Sequence, residues 1–589
     1  MELNFGMVSE SGADRQPATG DPFRLAVLGD FSGAANKGRL DAGDALARRK
    51  PLRVDVDNID QIIARLDIVL SLPMAEGAVE FPIGAMDDFH PDQIYEKVEL
   101  FSSLADLRRK LTSKSSYPAT AKELTAWRDA PTPPPSPIPR RPRGAMVPIG
   151  GKLSDFAALI GQPSAPQGAA EVATEELIKS VVRPYIVGKK DPQQAALLAS
   201  VDSALSVAMR QVLHHPDFQT LESLWRSVDM LTRRIETSTQ LQIELYDVSA
   251  EEFAADLAAT DTLEETGLYR LLIEQPALDA GRGPLSVMVG AYIFDHTPPQ
   301  AELLGRMAQL AAKAGTPFVS SISPEFVETK REDVHPLIRE AWAALQGLDG
   351  AEFLALVTPR FLLRQPYGER TDPITAFDDF EEFTPQTGLK GMLWGNPAFI
   401  AGLMLAETYA KQRAKMSLGS IMTAGDMPYY FYVDDEGDQT ALPCTERLIS
   451  ERVAARVGAE HFMPLLSLKG RPEVRLGSFT SLAGVPLAGR WTTVPAVEAP
   501  APVDERAEPV EEPKIKKKKK PAEETSTSPV KEGADAAADG AKATAESTGD
   551  SELDGLLASL KSSDDGGAAP NEGDGADMDP DLAALLKAT

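Results

Sequence analysis

The residues of this chain best equipped for chemistry are Asp87, Asp88, His90 and Asp92, within the run Met86 to Gln93 (MDDFHPDQ). Carboxylates and an imidazole at this spacing are the donor types of a divalent-metal site. Adjacent side chains leave the backbone in different directions, however, and Pro91 stiffens the run. Asp88 or Asp92 is well placed to cap the helix entering at Gln93, so capping and turn formation are the favoured reading. His214-His215-Pro216 is a second imidazole pair. Neighbours in sequence cannot place both rings on one helical face and no third ligand is near, so a structural role is expected. Arg360, Arg364 and Tyr367 in TPRFLLRQPYGER offer guanidinium forks that suit phosphate. The acidic run Asp378, Asp379, Glu381 and Glu382 follows closely, and pairing with it is favoured over anion binding.

Other catalytic signatures are missing from the text. Gly150-Gly151-Lys152-Leu153-Ser154 lacks the preceding glycine of a phosphate loop, and no strand leads into it. There is no Gly-x-Ser-x-Gly elbow, no His-Glu-x-x-His and no dinucleotide fingerprint. The expectation is a protein with no catalytic site, no cofactor and no metal.

The elements that must position these residues form two globular blocks. In the first, Phe23 to Leu28 (FRLAVL) reads as a buried strand and LRVDV from Leu52 as another. Asp57 or Asn58 can cap a helix whose Ile59, Ile62, Ile63 and Leu66 share one face. IVLSL from Ile68 and VEFPI from Val79 supply further strands, and Ile94 to Leu111 a closing helix. In the second block, Leu221, Leu224, Trp225, Val228 and Leu231 make a helical stripe, LQIEL from Leu241 a strand, and Phe253 with Leu257 a helix turn. LYRLLI from Leu268, LSVMVGAYIF from Leu285, TPFVSS from Thr316 and EFLALV from Glu352 read as strands. A helical face formed by Leu303, Leu304, Met307, Leu310 and Ala311 separates the middle pair, which indicates a βαβ unit in a largely parallel sheet.

Composition marks what lies around the blocks. Ala130 to Arg143 (APTPPPSPIPRRPR) favours extended polyproline II and reads as a spacer. After about Ala488 come proline-rich text, a lysine run from Lys516 to Lys520 and a long Ala/Gly/Asp/Glu/Ser stretch, too poor in large apolar groups to offset its ordering entropy. The chain has 589 residues, with 60 Lys and Arg against 88 Asp and Glu, for a net charge of −28. That charge disfavours nucleic acid and anionic lipid as partners. The single cysteine, Cys444, cannot form an internal disulfide, and the text shows neither a leader pattern nor an apolar run of membrane-spanning length, so a cytoplasmic location is expected.

The motifs resemble a known family. FRLAVLGDFSG (Phe23 to Gly33), RRKPLRVDVDNID (Arg48 to Asp60) and MDDFHPDQI (Met86 to Ile94) are similar, in order and spacing, to the small subunit of the type VI secretion contractile sheath. VLHHPDFQTLESLWRSVDML (Val212 to Leu231), Gly283 to Phe326, Thr358 to Arg370, LWGNPAF (Leu393 to Phe399) and Leu442 to Leu466 resemble the large subunit of the same sheath. The resemblance implies a fused structural protein with two α/β sheath-type domains, residues 22–115 and 195–490, between a disordered N-terminus (1–21), a proline-rich linker (116–194) and a disordered acidic tail (491–589). Trp225, Tyr292 and Pro359 would then hold a fold. It further implies sheath subunits as partners, either copies of this chain or a separate large subunit, together with the inner-tube protein and the AAA+ unfoldase that recycles contracted sheath. A non-polymerising adaptor at a sheath end or baseplate is the alternative. The familiar large subunit continues past the late signature into a further α/β domain, whereas here the expectation after Ala488 is disorder.

Two apolar patterns interrupt the tail. Leu553, Leu556, Leu557 and Leu560 fall at i, i+3, i+4 and i+7, and Leu582, Leu585 and Leu586 repeat the start of that spacing. Each can form one helical face too short to be stable alone, suited to folding in a partner's groove. The first pattern is similar to the leucine-rich helix by which family large subunits are recognised by the unfoldase.

Overall fold

A strand with all seven residues buried, β1 (Phe23–Gly29), organises the molecule. Such a strand needs neighbours on both edges and cover on both faces. The computed structural model describes residues 3–8, 20–74, 77–129, 146–148, 177–186, 194–279, 283–328, 333–377, 379–385, 388–433 and 439–492. The tail leucines Leu553, Leu556, Leu557, Leu560, Leu582, Leu585 and Leu586 lie outside them, as do the proline run Ala130 to Arg143 and Asp378.

The further strands are β2 (Leu52–Val54), β3 (Ile68–Met74), β4 (Gly77–Ile83), β5 (Leu241–Asp247), β6 (Val287–Phe294), β7 (Phe318–Ile322), β8 (Leu354–Thr358), β9 (Phe361–Leu362), β10 (Trp394–Gly395), β11 (Thr423–Ala424), β12 (Tyr430–Val433), β13 (Gln439–Leu442), β14 (Met463–Ser467) and β15 (Val474–Leu476). Nine of them make one sheet, in the order β11-β15-β14-β8-β7-β6-β1-β5-β2. The six from β14 to β5 run parallel, while β2, β15 and β11 are antiparallel to their neighbours. The β3–β4 hairpin stands apart as its own two-stranded sheet. Both sequence blocks therefore contribute to one sheet, and β1 of the first block lies inside the second.

Alternation along β1 shows how that sheet is covered. Phe23, Leu25 and Val27 enter one apolar layer together with Leu224, Trp225 and Val228 of helix Pro216–Arg234 and residues of helix Ala398–Gln412. Ala26 and Leu28 enter the other, with Phe253 of helix Ala250–Ala258 and Leu304 and Met307 of helix Pro298–Ala314. The result is three layers, helix on sheet on helix. The expected β6–helix–β7 unit is present, with parallel pairing from Met288↔Phe318 to Phe294↔Ile322. Helix Gln194–Leu213 is long and apolar enough to cross a membrane by length and composition. Here Leu197, Val201, Leu205 and Met209 are buried in the layer that also holds Leu104, Leu107 and Leu111 of helix Glu99–Thr112.

Four local expectations need correction. The N-terminus expected to be disordered is tied to the second block within residues 3–8, where Met7 N–H donates to the Asp261 carbonyl at 2.8 Å and the Asn4 carbonyl accepts from Arg306 Nε at 3.0 Å. Leu268 to Ile273 is helical, within turns running from Gly267 to Leu278, and is not a strand. A short apolar run fits either state, and Leu268, Leu271 and Leu272 lie at i, i+3 and i+4 toward one core layer. The closing helix is two helices, Pro91–Lys97 and Glu99–Thr112, because Val98 between them is extended (φ −93°, ψ 122°) and buries its side chain. The stretch expected to be spacer from residue 116 begins with a helix, Tyr117–Asp129, whose Leu124 is fully buried. Further along that stretch, Val147, Leu177 and Val182 are also core residues.

Candidate functional site

The polar groups that bind the first block to the second form the molecule's most developed site. On adjacent strands β1 and β5, Arg24 directs Nε to Glu244 Oε1 at 3.2 Å and Nη2 to Glu244 Oε2 at 2.6 Å. Both side chains are almost wholly enclosed, at 3% and 0% exposure. Arg24 Nη1 also donates to the Gly283 carbonyl. A buried ion pair of this kind contributes less to net stability than to fixing which groups must meet.

Where β1 ends, the chain enters a loop anchored to the second block. Asp30 accepts from the backbone N–H of Ala34 (2.6 Å) and Ala35 (3.0 Å), which turns the chain away from the sheet. The residue keeps some solvent exposure, but its carboxyl is enclosed. Burial, with Asp247 beside it, pushes its pKa up to about 8. Ser32 N–H donates to Asp247 Oδ1 (3.0 Å), Asp41 N–H to Glu252 Oε1 (3.0 Å) and Gly43 N–H to Asp256 Oδ1 (2.6 Å). Arg49 reaches Asp41 Oδ2 and Glu252 Oε2, each at 2.7 Å. Burial opposes the Arg49 charge, but pairing with Glu252 outweighs it and holds the pKa above the usual value. Glu252 also closes a capping box, accepting from Ser249 N–H at 3.0 Å while Ser249 Oγ accepts from Glu252 N–H at 3.1 Å.

The four residues first considered for metal do not converge. Asp87 is exposed, and Asp88 accepts from Gly84 N–H (2.7 Å) and Ala85 N–H (3.2 Å) and pairs with Lys97. The cap of helix Pro91–Lys97 is neither aspartate but His90, whose Nδ1 accepts from Asp92 N–H at 3.2 Å. Asp92 instead reaches across the seam and accepts from Thr375 N–H (2.8 Å), Thr375 Oγ1–H (2.8 Å) and Ala376 N–H (2.8 Å). Burial would raise the pKa of Asp92, but these hydrogen bonds prevail and lower it. Among the described residues, no group of three or more His, Cys, Asp or Glu is arranged to hold a metal ion.

His215 repeats the His90 device, with Nδ1 accepting from Asp217 N–H at 3.3 Å, and so does His335 toward Leu337 N–H at 3.3 Å. A recurring His-Pro step thus starts three helices, and that step was the readable signal for these caps. In the helix before β3, Asn58 is at the cap position without a side-chain cap bond. Its Oδ1 accepts from Asp55 N–H, while Asp55 Oδ1 accepts from the N–H of Asp57 and Asn58.

Arg364 pairs with Glu382, as expected, through Nη1–Oε2 at 2.6 Å and Nη2–Oε1 at 3.0 Å. It also takes Glu222 of helix Pro216–Arg234, through Nε–Oε1 at 2.8 Å, a partner that no local pattern announced. Tyr367 lies under the guanidinium, with its ring centroid 4.1 Å away, and its hydroxyl accepts from Arg226 Nη2 at 2.9 Å. Burial pushes the Tyr367 phenol up to about 12. His214 Nε2 lies 3.6 Å from Glu382 Oε1, too long for a hydrogen bond. Arg360 turns away from the acidic run and pairs with Glu446, Nε–Oε2 at 2.8 Å. With their forks committed to carboxylates, Arg360 and Arg364 are structural clamps.

The family residues Trp225 and Tyr292 also serve the seam and the core. Trp225 is fully buried, and its Nε1–H donates to the Phe31 carbonyl across the seam at 3.3 Å. Tyr292 OH donates to the Val248 carbonyl at 2.9 Å. Chemically the arrangement binds two pieces of chain to one another. Cutting the spacer between residues 130 and 145 with trypsin should therefore leave two fragments that co-elute on gel filtration without denaturant. Independent elution would contradict the seam.

Comparisons with known proteins divide the chain along this seam. Residues 11–126, which include β1 to β4, match the family model described as type VI secretion system, VipA. Residues 195–483 match the VipB model, described as the EvpB-type tail sheath N-terminal domain. TssC1, a type VI secretion system sheath protein of Pseudomonas aeruginosa, is 28% identical over 341 residues, a span covering 54% of this chain and 68% of the relative. The charged and hydrogen-bonded seam just described therefore joins a region that matches the VipA family model of the type VI secretion sheath to a region that matches the VipB model, within one polypeptide.

Proposed function

We propose that this chain is a structural component of a type VI secretion contractile sheath, in which one polypeptide supplies both subunit types. The observation that carries the reading is β1, a strand of the VipA-type region paired on both edges by strands of the VipB-type region. In this reading the chain works in the cytoplasm, without catalysis or cofactor, and assembles with copies of itself or with a separate large subunit around the inner tube. Electron microscopy of the purified chain, alone and mixed with ordinary sheath subunits, tests it. Tubes in either sample support assembly. Discrete particles in both would favour the alternative of an adaptor at a sheath end or baseplate.

The tail belongs to the same proposal. Leu553, Leu556, Leu557 and Leu560 dock as one helical face in a hydrophobic groove of the AAA+ sheath-recycling unfoldase, with Leu582, Leu585 and Leu586 as a second, shorter face. Titrating a peptide spanning Ser551 to Ser562 against the N-terminal domain of that unfoldase should show saturable binding. A Leu556→Asp, Leu557→Asp peptide should bind at least about tenfold more weakly, since burying two charges in an apolar groove is costly. Equal binding, or none by either peptide, would remove the docking role.

A further inference from the structure

The sheet has a gap that the spacer fills. Strand β1 pairs with β6 only as far as Leu28↔Gly290 and then turns away at Asp30, leaving the last part of β6 without β1 beside it. Since β7 holds the opposite edge of β6, the vacated position is a crevice at the carboxyl ends of the strands, on the side where the connections diverge. Open parallel sheets characteristically bind ligands at such a place. Met146, Val147 and Pro148 of the spacer occupy it. Met146 forms a parallel bridge with Ile293, and Val147 N–H donates to the Ile293 carbonyl at 3.0 Å.

The walls are built to receive extended backbone. Gln300 of helix Pro298–Ala314 is fully buried, and its Nε2–H donates to the Val147 carbonyl at 2.9 Å. Its Oε1 accepts from Asp295 N–H, which fixes the amide in that orientation. Without the peptide, the Gln300 donor would be buried and unsatisfied, a state that folded proteins avoid. Val147 is 2% exposed and joins the apolar layer containing Tyr292, Phe294 and Ala301. Pro148 is also buried and, having no N–H, needs no further acceptor. The polar groups that bond to the segment, the Ile293 carbonyl and the Gln300 side-chain amide, belong to the VipB-type region.

We infer that this crevice is a strand-addition site for an extended peptide bearing a small branched apolar residue followed by proline, and that the chain fills it in cis with Met146 to Pro148. Main-chain hydrogen bonds supply the binding, and the Val147 pocket supplies the selectivity. The site is independent of whether the protein polymerises, so failure of the sheath reading leaves it standing.

Amide exchange on the full chain tests the cis occupant. The Val147 amide should exchange at least about tenfold more slowly than in a free peptide spanning Arg140 to Lys152. Exchange at the free-peptide rate overturns the inference without any variant. Fluorescence anisotropy with that labelled peptide then tests the site itself. It should bind the full-length Val147→Asp chain, whose own segment is expelled, and neither wild type nor the Val147→Asp, Gln300→Ala chain. Slow exchange of the β1 and β5 amides in each variant establishes that the sheet is intact. Equal binding to wild type and Val147→Asp, or none to either, would overturn the strand-addition site.

Discussion

Replacing Arg24 by alanine should cost on the order of 3 to 5 kcal/mol in chemical denaturation, because it removes the two-pronged guanidinium partner of Glu244 inside the sheet. Glu244 is fully buried, and the Tyr246 hydroxyl at 3.4 Å is a poor replacement for a guanidinium fork. Glu244→Ala should be damaging for the converse reason, leaving a buried cation. A volume-matched apolar pair, Arg24→Met with Glu244→Leu, should recover most of the loss, since the ion pair itself contributes little beyond an apolar contact of the same shape. If the single substitutions cost less than about 1 kcal/mol, the central pairing of the two regions does not depend on this contact. Trypsin-nicked protein gives a second readout, because fragments carrying Arg24→Ala should separate at lower denaturant than wild-type fragments.

Arg364→Ala should be of similar size, again on the order of 3 to 5 kcal/mol, since it takes away the guanidinium fork of the buried Glu382 and leaves the buried Glu222 with Arg226, at 2.7 Å, as its cation. Arg364→Lys should not rescue it, because a point ammonium cannot span both acids and lie flat on Tyr367. The same cluster predicts a pH dependence. Burial would raise the pKa of Glu382, but Arg364 holds it at about 2, below its ordinary value of 4.5. A carboxylate lowered in the folded state contributes stability that is full above about pH 4.5 and is lost as pH falls toward 2. Wild-type stability should therefore decline across that acid window, and Arg364→Ala should decline less steeply there. Parallel slopes for the two proteins would contradict the assignment.

Much of the fold was legible in local text. FRLAVL gave β1 within a residue, and the stripes at Leu221–Leu231 and Leu303–Ala311 gave helices, because burial on one face imposes a period of 3.6 or 2 that a single stretch displays. Leu268 to Ile273 failed because a six-residue apolar run satisfies both periods, and only the layer it faces decides between them. The candidate site was less legible. Glu382 was within reach of Arg364 in sequence and was foreseen, whereas Glu222, 142 residues away, was not. Arg360 was assigned to the same acidic run but pairs with Glu446, 86 residues on. The aspartates of the MDDFHPDQ run were read as caps, yet one pairs with Lys97 and another crosses to Thr375, while the histidine caps.

By itself, then, the sequence determined the α/β class, most strands and helices, the absence of a recognisable catalytic motif, and a resemblance to both subunits of one sheath. These follow from hydrophobic period and from motif order, which are local or collinear properties of a chain. The tertiary structure alone decided that the first region lends β1 to the interior of the second region's sheet, that Arg24 meets Glu244 across 220 positions, and that Met146 to Pro148 completes the sheet where β1 departs. A buried charge or backbone amide must find some partner, but Coulomb attraction and hydrogen bonding do not specify from which part of the chain it comes. That choice is made when the apolar layers close and bring distant segments into register.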